Sequence, residues 1–354
     1  MKKNEALNED NSLTYRLKTK NCQHHSFFIP KFEYVPSQHT HTNGFYNSVL
    51  RPSEMTVGNI LKWVVKRKFT GHQWSEQKHL YAQDLPIKDE NLHCSNWKIW
   101  FVNHATVLIQ MGKYHFLTDP VWCDYVSPQQ GLGPKRCRPA GLALEQLPHI
   151  DAVLLSHNHY DHMDVATLEW LHQKFQMPIY TGLANGSYLP THFNVIEMDW
   201  WQALSFGENQ EFKIIYVPAQ HGSGRGLRDQ NKALWGGFSI VSDAGHCYFA
   251  GDVAYSEHFK TIREKLGAPR LALLPIGAYE PRNLMRYVHM NPEEAVKAHL
   301  DLGARQSVAI HHRTFQLTDE AIEQPEQDLK IALLKYELTT EKFLCLEEGQ
   351  TFRV

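Results

Sequence analysis

The sequence predicts an α+β fold in which β-sheets are covered by helices. From about Trp97 onward, short β-rich stretches separated by turns alternate with helical patterns. Many short strands with helices inserted between them favour sheets flanked by helices over a pure β-sandwich. The chain has 354 residues, of which 42% are hydrophobic, so it is long enough to bury a substantial core.

The individual elements follow from residue type and spacing. Helices are predicted after Asp164, where apolar residues recur at helical spacing, and around 326–337. A third helix is predicted to begin with Asn291 as its N-cap and Pro292 at its first position. The predicted strands are rich in β-branched and aromatic residues. They are 98–102, 106–111, 115–117, 152–155, 212–217, 238–241, 247–250, 271–276 and 307–310.

The N-terminal part differs from the rest. Residues 1–50 are polar with little periodicity, which predicts an irregular arm, and 51–354 are predicted to form a single domain with 51–96 as a helical N-terminal extension. An amphipathic pattern near 53–69 carries Lys62 on its polar side. Two interpretations stay open: a surface helix packed on the body, or a basic helix on an anionic lipid surface with Trp63 near the interface.

Composition excludes several classes of protein. Lys and Arg total 36 against 38 for Asp and Glu, a formal net charge of -2, which argues against nucleic acid as a partner. The six cysteines form no CxxC pair and no disulfide framework. The N-terminus lacks the apolar core of a signal peptide, and no apolar run approaches the roughly 20 residues of a transmembrane helix. A cytoplasmic protein, peripheral on membranes, is expected.

The strongest chemical signal is the segment His157-Asn-His159-Tyr-Asp161-His162, which directly follows a buried apolar strand. His157 and His159 are two apart on an extended segment, so they can point to the same side and bind one cation. Asp161 and His162, where the chain begins to turn, can face a second cation. Zinc suits this ligand set because it binds both imidazole nitrogen and carboxylate oxygen.

The same pattern recurs downstream. Three further apolar strands lead to His221, Asp252 and His311. Taken alone, either histidine is more typically an ordinary hydrogen-bonded residue. Ligands that come from several strand ends to one edge of a rigid scaffold build a dinuclear site, so the three are interpreted together as metal ligands.

An ordered series of longer motifs specifies the family more closely than the histidine motif alone. The motifs are NHAT at 103–106, LTDP at 117–120, GPKR at 133–136, LSHNHYDH at 155–162, LWG at 234–236, AGD at 250–252, PIGAYEPR at 275–282, NPEEAV at 291–296 and SVAIH at 307–311. With these motifs, from about residue 50 to the end, the sequence resembles the N-acylphosphatidylethanolamine-hydrolysing phospholipase D family of the metallo-β-lactamase superfamily. The resemblance implies the αβ/βα metallo-β-lactamase fold, with two packed β-sheets flanked by helices.

The resemblance also implies which residues hold two zinc ions. His312 is the rival for the last ligand, but His311 directly follows the strand. One ion would be held by His157, His159 and His221, the other by Asp161, His162 and His311, with Asp252 bridging the two.

The implied reaction is hydrolysis of the head-group phosphodiester of N-acylphosphatidylethanolamine-type phospholipids. A hydroxide bridging the two ions would attack phosphorus in line, leaving phosphatidic acid and releasing an N-acylethanolamine. Asp161 is predicted to be catalytic by orienting or deprotonating this nucleophile. The implied partners are a phospholipid substrate, a membrane surface and a second copy of the chain in a homodimer.

Further site residues are predicted around this centre. His289 is predicted to contact a phosphate oxygen or to protonate the leaving alkoxide; the alternative is a histidine that is hydrogen-bonded locally at a helix entry. Gln130 and Tyr160 are predicted to contact the substrate. Asp119 and His104 are predicted to hydrogen-bond ligand imidazoles and fix their tautomers.

Departures from the family pattern leave alternatives open. Asn103 replaces a glycine, His312-Arg313 replaces Trp-Gly and Val253-Ala254 replaces Thr-Gly. Because these changes alter the walls of the site, a dinuclear-metal lactonase or a soluble phosphodiesterase of the same fold is the second hypothesis. The third is a lipid- or protein-binding module without turnover.

Overall fold

The computed structural model describes residues 40–41, 44–47, 57–70, 73–77, 95–129, 131–226 and 228–354. Most of the predicted arm over 1–50 lies outside these ranges, as does the predicted substrate residue Gln130. Within them, the helices α1 to α6 are Val57–Thr70, Val165–Phe175, His258–Leu266, Arg282–Met285, Pro292–Leu302 and Gln324–Lys335. The strands β1 to β16 are Thr40–His41, Gly44–Phe45, Trp97–Asn103, Thr106–Met111, Tyr114–Thr118, Ala152–Leu155, Ile179–Gly182, Val195–Met198, Ala203–Phe206, Phe212–Val217, Gly237–Ser242, Gly245–Phe249, Leu271–Pro275, Gln306–Ile310, Phe343–Leu344 and Thr351–Arg353.

The described strands form two seven-stranded sheets and a separate two-stranded ladder of β1 and β2. The first sheet has the order β16-β3-β4-β5-β6-β7-β8, and the second has the order β15-β14-β13-β12-β11-β10-β9. In each sheet the four strands on one side pair antiparallel, and the remaining pairs are parallel. The predicted α+β class, with two packed sheets flanked by helices, is confirmed.

The core lies between the two sheets and continues under the helices. In β3, Ile99 and Phe101 belong to the cluster that also contains the buried side chains of β10 and β11 in the second sheet. The alternate residues Trp100 and Val102 belong to a second cluster with Leu168 of α2. This alternation is the period-2 geometry of a strand, and four consecutive residues of β3, 99–102, are apolar because both faces are covered there.

Side-chain caps define the starts of α2 and α5, and the sequence predicts the cap at Asn291. The backbone N–H of Thr167 donates to the Asp164 carboxylate at the start of α2, at 3.3 Å. At α5, Glu294 N donates to Asn291 Oδ1 at 2.8 Å, and Asn291 N donates to the Glu294 carboxylate at 3.1 Å, which completes a capping box. Helix α5 then packs against α3, α6 and β13 on the outer face of the second sheet.

Helix α1 packs on the loop that follows β14. The Trp63 indole N–H donates to Asp319 Oδ2 at 2.7 Å, and Arg67 donates to the Gln316 carbonyl at 2.8 Å. Trp63 therefore contacts the body of the protein. The interpretation of α1 as a basic helix on a lipid surface had placed Trp63 near the lipid interface. Val65 remains 49% exposed on the outer side of the helix. None of the helices within the described ranges combines the length and the apolar character needed to span a bilayer.

Candidate metal centre

The predicted ligands come from strand ends at one edge of the two packed sheets. His157 lies two residues beyond β6 and begins the loop that carries the other histidines of the motif. Asp252 follows β12 and His311 directly follows β14, while His221 lies four residues beyond β10. Strands β10, β12 and β14 run in the same direction within the second sheet, so their carboxyl ends share one edge, and the motif loop after β6 of the first sheet meets them there.

The first group of candidate ligand atoms is His157, His159, His221 and Asp252, which all lie within 4.8 Å of one another. His159 Nδ1 lies 2.8 Å from His157 Nε2 and 3.3 Å from His221 Nε2. Asp252 Oδ2 lies 3.7 Å from His221 Nε2. The three imidazoles and the carboxylate thus surround one small space.

The second group contains Asp161, His162 and His311, together with His104. Asp161 Oδ2 lies 3.4 Å from His162 Nε2 and 3.3 Å from His311 Nε2. Asp252 lies between the two groups, because its Oδ2 is 3.2 Å from His162 Nε2 and its Oδ1 is 3.1 Å from His311 Nε2. All seven predicted ligands therefore converge, with the predicted bridging carboxylate in the middle.

The chemistry of this cluster fits divalent cations. His162 Nε2 and Asp252 Oδ1 are buried, and no group in the described part of the chain forms a hydrogen bond to either. Burial alone would lower the pKa of His162, but the carboxylates of Asp252 and Asp161 raise it well above its usual value. Burial would likewise raise the pKa of Asp252, but His162 and His311 hold it well below its usual value. Two buried carboxylates among buried imidazoles, two of which, His157 and His221, have a pKa lowered well below the usual value by burial, are suited to bind metal ions.

One buried carboxylate fixes the orientation of two ligands. Asp119, directly after β5, accepts hydrogen bonds from His162 Nδ1 at 2.6 Å and from the Ser156 hydroxyl at 2.6 Å. Since that hydroxyl donates to Asp119, its oxygen accepts from His157 Nδ1, at 2.9 Å. Both imidazoles thus carry their proton on Nδ1 and present Nε2 to the centre. Sequence reasoning missed Ser156, although it immediately precedes the His157 motif.

His221 is oriented in the same way, since its Nδ1 donates to the carbonyl of Val288 at 2.8 Å. Three residues around the centre adopt the left-handed backbone region that non-glycine residues rarely occupy: His104 (φ 44°), Asp119 (φ 29°) and His311 (φ 59°). Such a conformation costs about 1–3 kcal/mol per residue and persists only where the surrounding structure imposes it. Its concentration here is typical of a functional site.

His104 differs from its predicted role as a partner of ligand imidazoles. Its Nε2 lies 3.1 Å from Asp161 Oδ2, so it contacts a carboxylate of the second group. Its backbone carbonyl accepts a hydrogen bond from the backbone N–H of His311 at 2.7 Å. Burial lowers the pKa of His104 to about 3, so its ring is neutral at pH 7. One residue thereby holds two candidate ligands from different strands.

His289 lies at the rim of the cluster. Its Nδ1 is 3.9 Å from Asp252 Oδ2, and its ring stacks on His311 at a centroid distance of 5.4 Å. Burial lowers the pKa of His289 to about 4. The ring of His312, the rival ligand, belongs to none of the ligand groups and stacks on Phe101 with centroids 5.7 Å apart.

The predicted substrate residue Tyr160 is half-buried beside the motif loop. Its hydroxyl donates to the carbonyl of Arg225 at 3.1 Å, and the Arg225 guanidinium covers its ring at 3.8 Å from the centroid. The same guanidinium donates to the carbonyls of Asn158 and Met163, each at 2.9 Å. Arg225 therefore fixes both ends of the motif loop, a role with no sequence signal because it is more than 60 residues away.

The sequence also matches known proteins. Residues 114–312 match the family model of the beta-lactamase superfamily domain. The chain is 35% identical over 315 residues to N-acyl-phosphatidylethanolamine-hydrolyzing phospholipase D 1 of Caenorhabditis elegans, which covers 82% of this chain and 86% of that protein. It is 33% identical over 270 residues to the mitochondrial N-acyl-phosphatidylethanolamine-hydrolyzing phospholipase D of Saccharomyces cerevisiae, covering 75% and 57%.

Solved structures show the same fold at lower identity. An isothiocyanate hydrolase from Delia radicum gut bacteria superposes with a TM-score of 0.57 and 22% identity, covering 73% of this chain and all 100% of that one. A metallo hydrolase from Ignicoccus hospitalis gives a TM-score of 0.56 and 22% identity over 73% and 98%. The chain is therefore a metal-dependent hydrolase that belongs to the β-lactamase superfamily and, within it, to the family of the N-acyl-phosphatidylethanolamine-hydrolyzing phospholipases D.

Proposed function

We propose that this enzyme hydrolyses the head-group phosphodiester of N-acylphosphatidylethanolamine-type phospholipids with the help of two zinc ions. The observation that carries the proposal is the pair of ligand groups with Asp252 between them, 3.2 Å from His162 Nε2 and 3.1 Å from His311 Nε2. Imidazole nitrogen and carboxylate oxygen together favour zinc among the common divalent ions. The names of the relatives from Caenorhabditis elegans and Saccharomyces cerevisiae support the choice of a phospholipid.

When bound, a pair of divalent cations activates a water molecule and offsets the negative charge of the phosphodiester. The water oxygen bonds to phosphorus while the bond from phosphorus to the head-group oxygen breaks. Asp161 orients this water through its carboxylate, which His104 holds in place at 3.1 Å. One proton of the water ends on the departing alkoxide, so the products are an N-acylethanolamine and phosphatidic acid.

His289 is the side chain best placed to bind a phosphate oxygen. Its Nδ1 is buried, and among the described residues no group forms a hydrogen bond to it. A substrate phosphate next to Asp252 could accept this N–H. Tyr160 would contribute its ring as a wall of the site, because its hydroxyl already donates to Arg225. The role of Gln130 in substrate binding stays a prediction.

Contact with a membrane surface is part of the proposal. The outer side of α1 carries Lys62, Val65 and Lys66, all exposed. Two lysines beside an apolar side chain suit an anionic lipid surface. Sedimentation with anionic vesicles should fall for the double variant Lys62→Glu, Lys66→Glu, while soluble substrates are turned over as before. Unchanged sedimentation would exclude α1 as the contact.

The proposed homodimer is tested by analytical ultracentrifugation. A monomer at all protein concentrations would exclude the homodimer.

The central test is hydrolysis of N-acylphosphatidylethanolamine in vesicles by the zinc-loaded protein, with release of N-acylethanolamine measured by mass spectrometry. Asp252→Asn should lose at least about 100-fold in rate, because the shared carboxylate is lost. Asp243→Asn, which changes an exposed aspartate on the β11–β12 turn, is the matched control and should keep its rate.

A second panel separates the substrate classes. It contains a soluble phosphodiester, a simple lactone and a sugar-phosphate lactone. If the protein hydrolyses one of these compounds but releases no N-acylethanolamine from vesicles, it is a lactonase or a soluble phosphodiesterase and not a lipid phosphodiesterase. Metal binding and vesicle binding without any turnover would favour the non-enzymatic module.

A further inference from the structure

Asn47, in the N-terminal region, forms two hydrogen bonds with the backbone of the candidate ligand His221. Its Nδ2 donates to the His221 carbonyl at 2.7 Å, and its Oδ1 accepts from the His221 N–H at 3.1 Å. The same Oδ1 lies 3.2 Å from the indole nitrogen of Trp235. Asn47 is only 6% exposed. A side-chain amide thus pairs with both polar groups of a residue 174 positions away.

The segment that carries Asn47 is itself fixed on the same loop. Phe45 N donates to the carbonyl of Asn231 at 2.8 Å. At Gly44 (φ +139°) the backbone passes so close that an added Cβ would lie 2.4 Å from Asn231 O. Asn231 in turn bonds the backbone of Ser223, two residues after His221. The segment 44–47 is therefore anchored on this loop two to three residues before Asn47.

His221 has particular need of such support. The other ligands follow their strands by one to three residues or lie in the compact loop after β6, whereas His221 is four residues beyond β10. Its ring is fixed through the bond from Nδ1 to Val288 O, but that bond does not fix the backbone from which the ring projects. The two bonds from Asn47 supply this constraint.

We propose that Asn47 is a positioning residue for the metal centre, which holds the His221 backbone so that Nε2 points at the first metal position. The inference rests on the proposed metal pair but not on the lipid substrate. Only an amide suits this place, because it presents one donor and one acceptor in a plane. A carboxylate would place a negative oxygen against the His221 carbonyl, and an apolar side chain would remove both hydrogen bonds to the His221 backbone.

Asn47 is not expected to contact the second metal position, which Asp161, His162 and His311 would form. The bonds that the structure gives to Asn47 go to His221 and Trp235, neither of which belongs to the group around Asp161. Loss of Asn47 should therefore weaken the first position more than the second. A general loss of stability would weaken both.

The experiment compares Asn47→Ala and Asn47→Asp with Asn185→Ala. Asn185 is the matched control, because it is also a fully buried asparagine with two bonds to backbone carbonyls, those of Gly182 and Leu234. Metal-free protein is titrated with Co²⁺ against a competing chelator, and the visible spectrum reports each bound ion. Hydrogen exchange of the His221 amide in the metal-free protein gives a readout that needs no metal.

For both Asn47 variants we expect the affinity of one Co²⁺ position to fall about 10–100-fold, as for other residues that hold a ligand in place. The His221 amide should also exchange faster, while Asn185→Ala keeps the wild-type values for both. If Asn47→Ala does not fold, the proposal is tested with Asn47→Asp, whose side chain has nearly the same volume as asparagine. Wild-type Co²⁺ affinity and exchange in Asn47→Asp, or equal losses in Asn185→Ala, would overturn the proposal whatever the substrate is.

Discussion

Asparagine at position 119 would change one oxygen of a fully buried carboxylate into an amide nitrogen, with no change in volume. Asp119 accepts three hydrogen bonds, from the backbone N–H and hydroxyl of Ser156 and from His162 Nδ1. The backbone N–H cannot reverse its direction, so the new amide nitrogen must take the place of Oδ2. There it faces two donors, and each must turn into an acceptor.

The change in the direction of these hydrogen bonds should affect both metal positions. If His162 accepts at Nδ1, its proton moves to Nε2, the atom that faces Asp161 and Asp252. If the Ser156 hydroxyl accepts from the amide, it donates to His157 Nδ1, and that ring too carries its proton on the side of the centre. A protonated nitrogen cannot bind a cation, so one substitution outside the ligand set should impair two ligands.

The magnitude follows from the bond types. Hydrogen bonds to a charged group contribute about 1.5–3 kcal/mol and neutral ones about half of that, so three weakened bonds cost roughly 3 kcal/mol in the free energy of unfolding. Loss of residues that orient ligands lowers metal affinity by about 10–100-fold. Both effects should appear together in Asp119→Asn.

The assay is calorimetric titration of the metal-free protein with Zn²⁺, with urea unfolding in parallel. Ser156→Ala removes the hydroxyl that links Asp119 to His157 but keeps the bond from His162 Nδ1 to Asp119, so it should weaken one position and leave the other. Asp151→Asn is the matched control, because Asp151 precedes the same strand β6 and its bond goes to His115 N at 2.7 Å, away from the centre. If Asp119→Asn bound two ions with wild-type affinity, the proposed tautomer control would be refuted.

Three further predictions concern the metal, a glycine and acid stability. Removal of the metal with a chelator should lower Tm by roughly 5 °C, since an ion at 100 times its Kd stabilises by about 2.7 kcal/mol; an unchanged Tm in differential scanning calorimetry would contradict this. Gly251→Ala should destabilise by at least about 1–2 kcal/mol in urea unfolding and weaken metal binding, because at φ +61° its Cβ would lie 2.6 Å from Ser156 Cβ. Burial lowers the pKa of His246 to about 4 from 6.5, so its neutral form is favoured in the fold. Its contribution is complete above pH 6.5 and is lost as the pH falls towards 4, about 3 kcal/mol in all, so unfolding of His246→Gln should depend less on pH in this window than unfolding of the wild type.

Much of the site could be predicted because ligands follow strands closely in sequence. The strand 152–155 runs directly into the motif of His157, and His311 directly follows its strand. The apolar pattern of each strand, together with the polar residue next to its end, was therefore enough to predict these ligands. The signal for the N-cap Asn291 was equally local. What such signals share is that the residues responsible lie within a few positions of each other.

The rest depends on contacts between distant parts of the chain. The bonds from Asn47 to His221 span 174 residues and leave no local pattern. Strand β9 was not predicted because its residues alternate between exposed and half-buried at the edge of the second sheet, which gives a weak apolar signal. His104 was expected to hydrogen-bond a ligand imidazole, but its Nε2 lies against the Asp161 carboxylate, although its ring packs beside that of His311.

The pairing of β16 with β3 has a consequence for how the protein is made. Thr351–Arg353 completes the first sheet by pairing with Lys98–Trp100, about 250 positions earlier in the chain. During synthesis the ribosome therefore releases β3 long before its neighbour exists, and that flank of the sheet stays open to other chains. A nascent or shortened polypeptide that ends before Thr351 should depend on chaperones and aggregate more readily than the full chain, even though its metal ligands are all present.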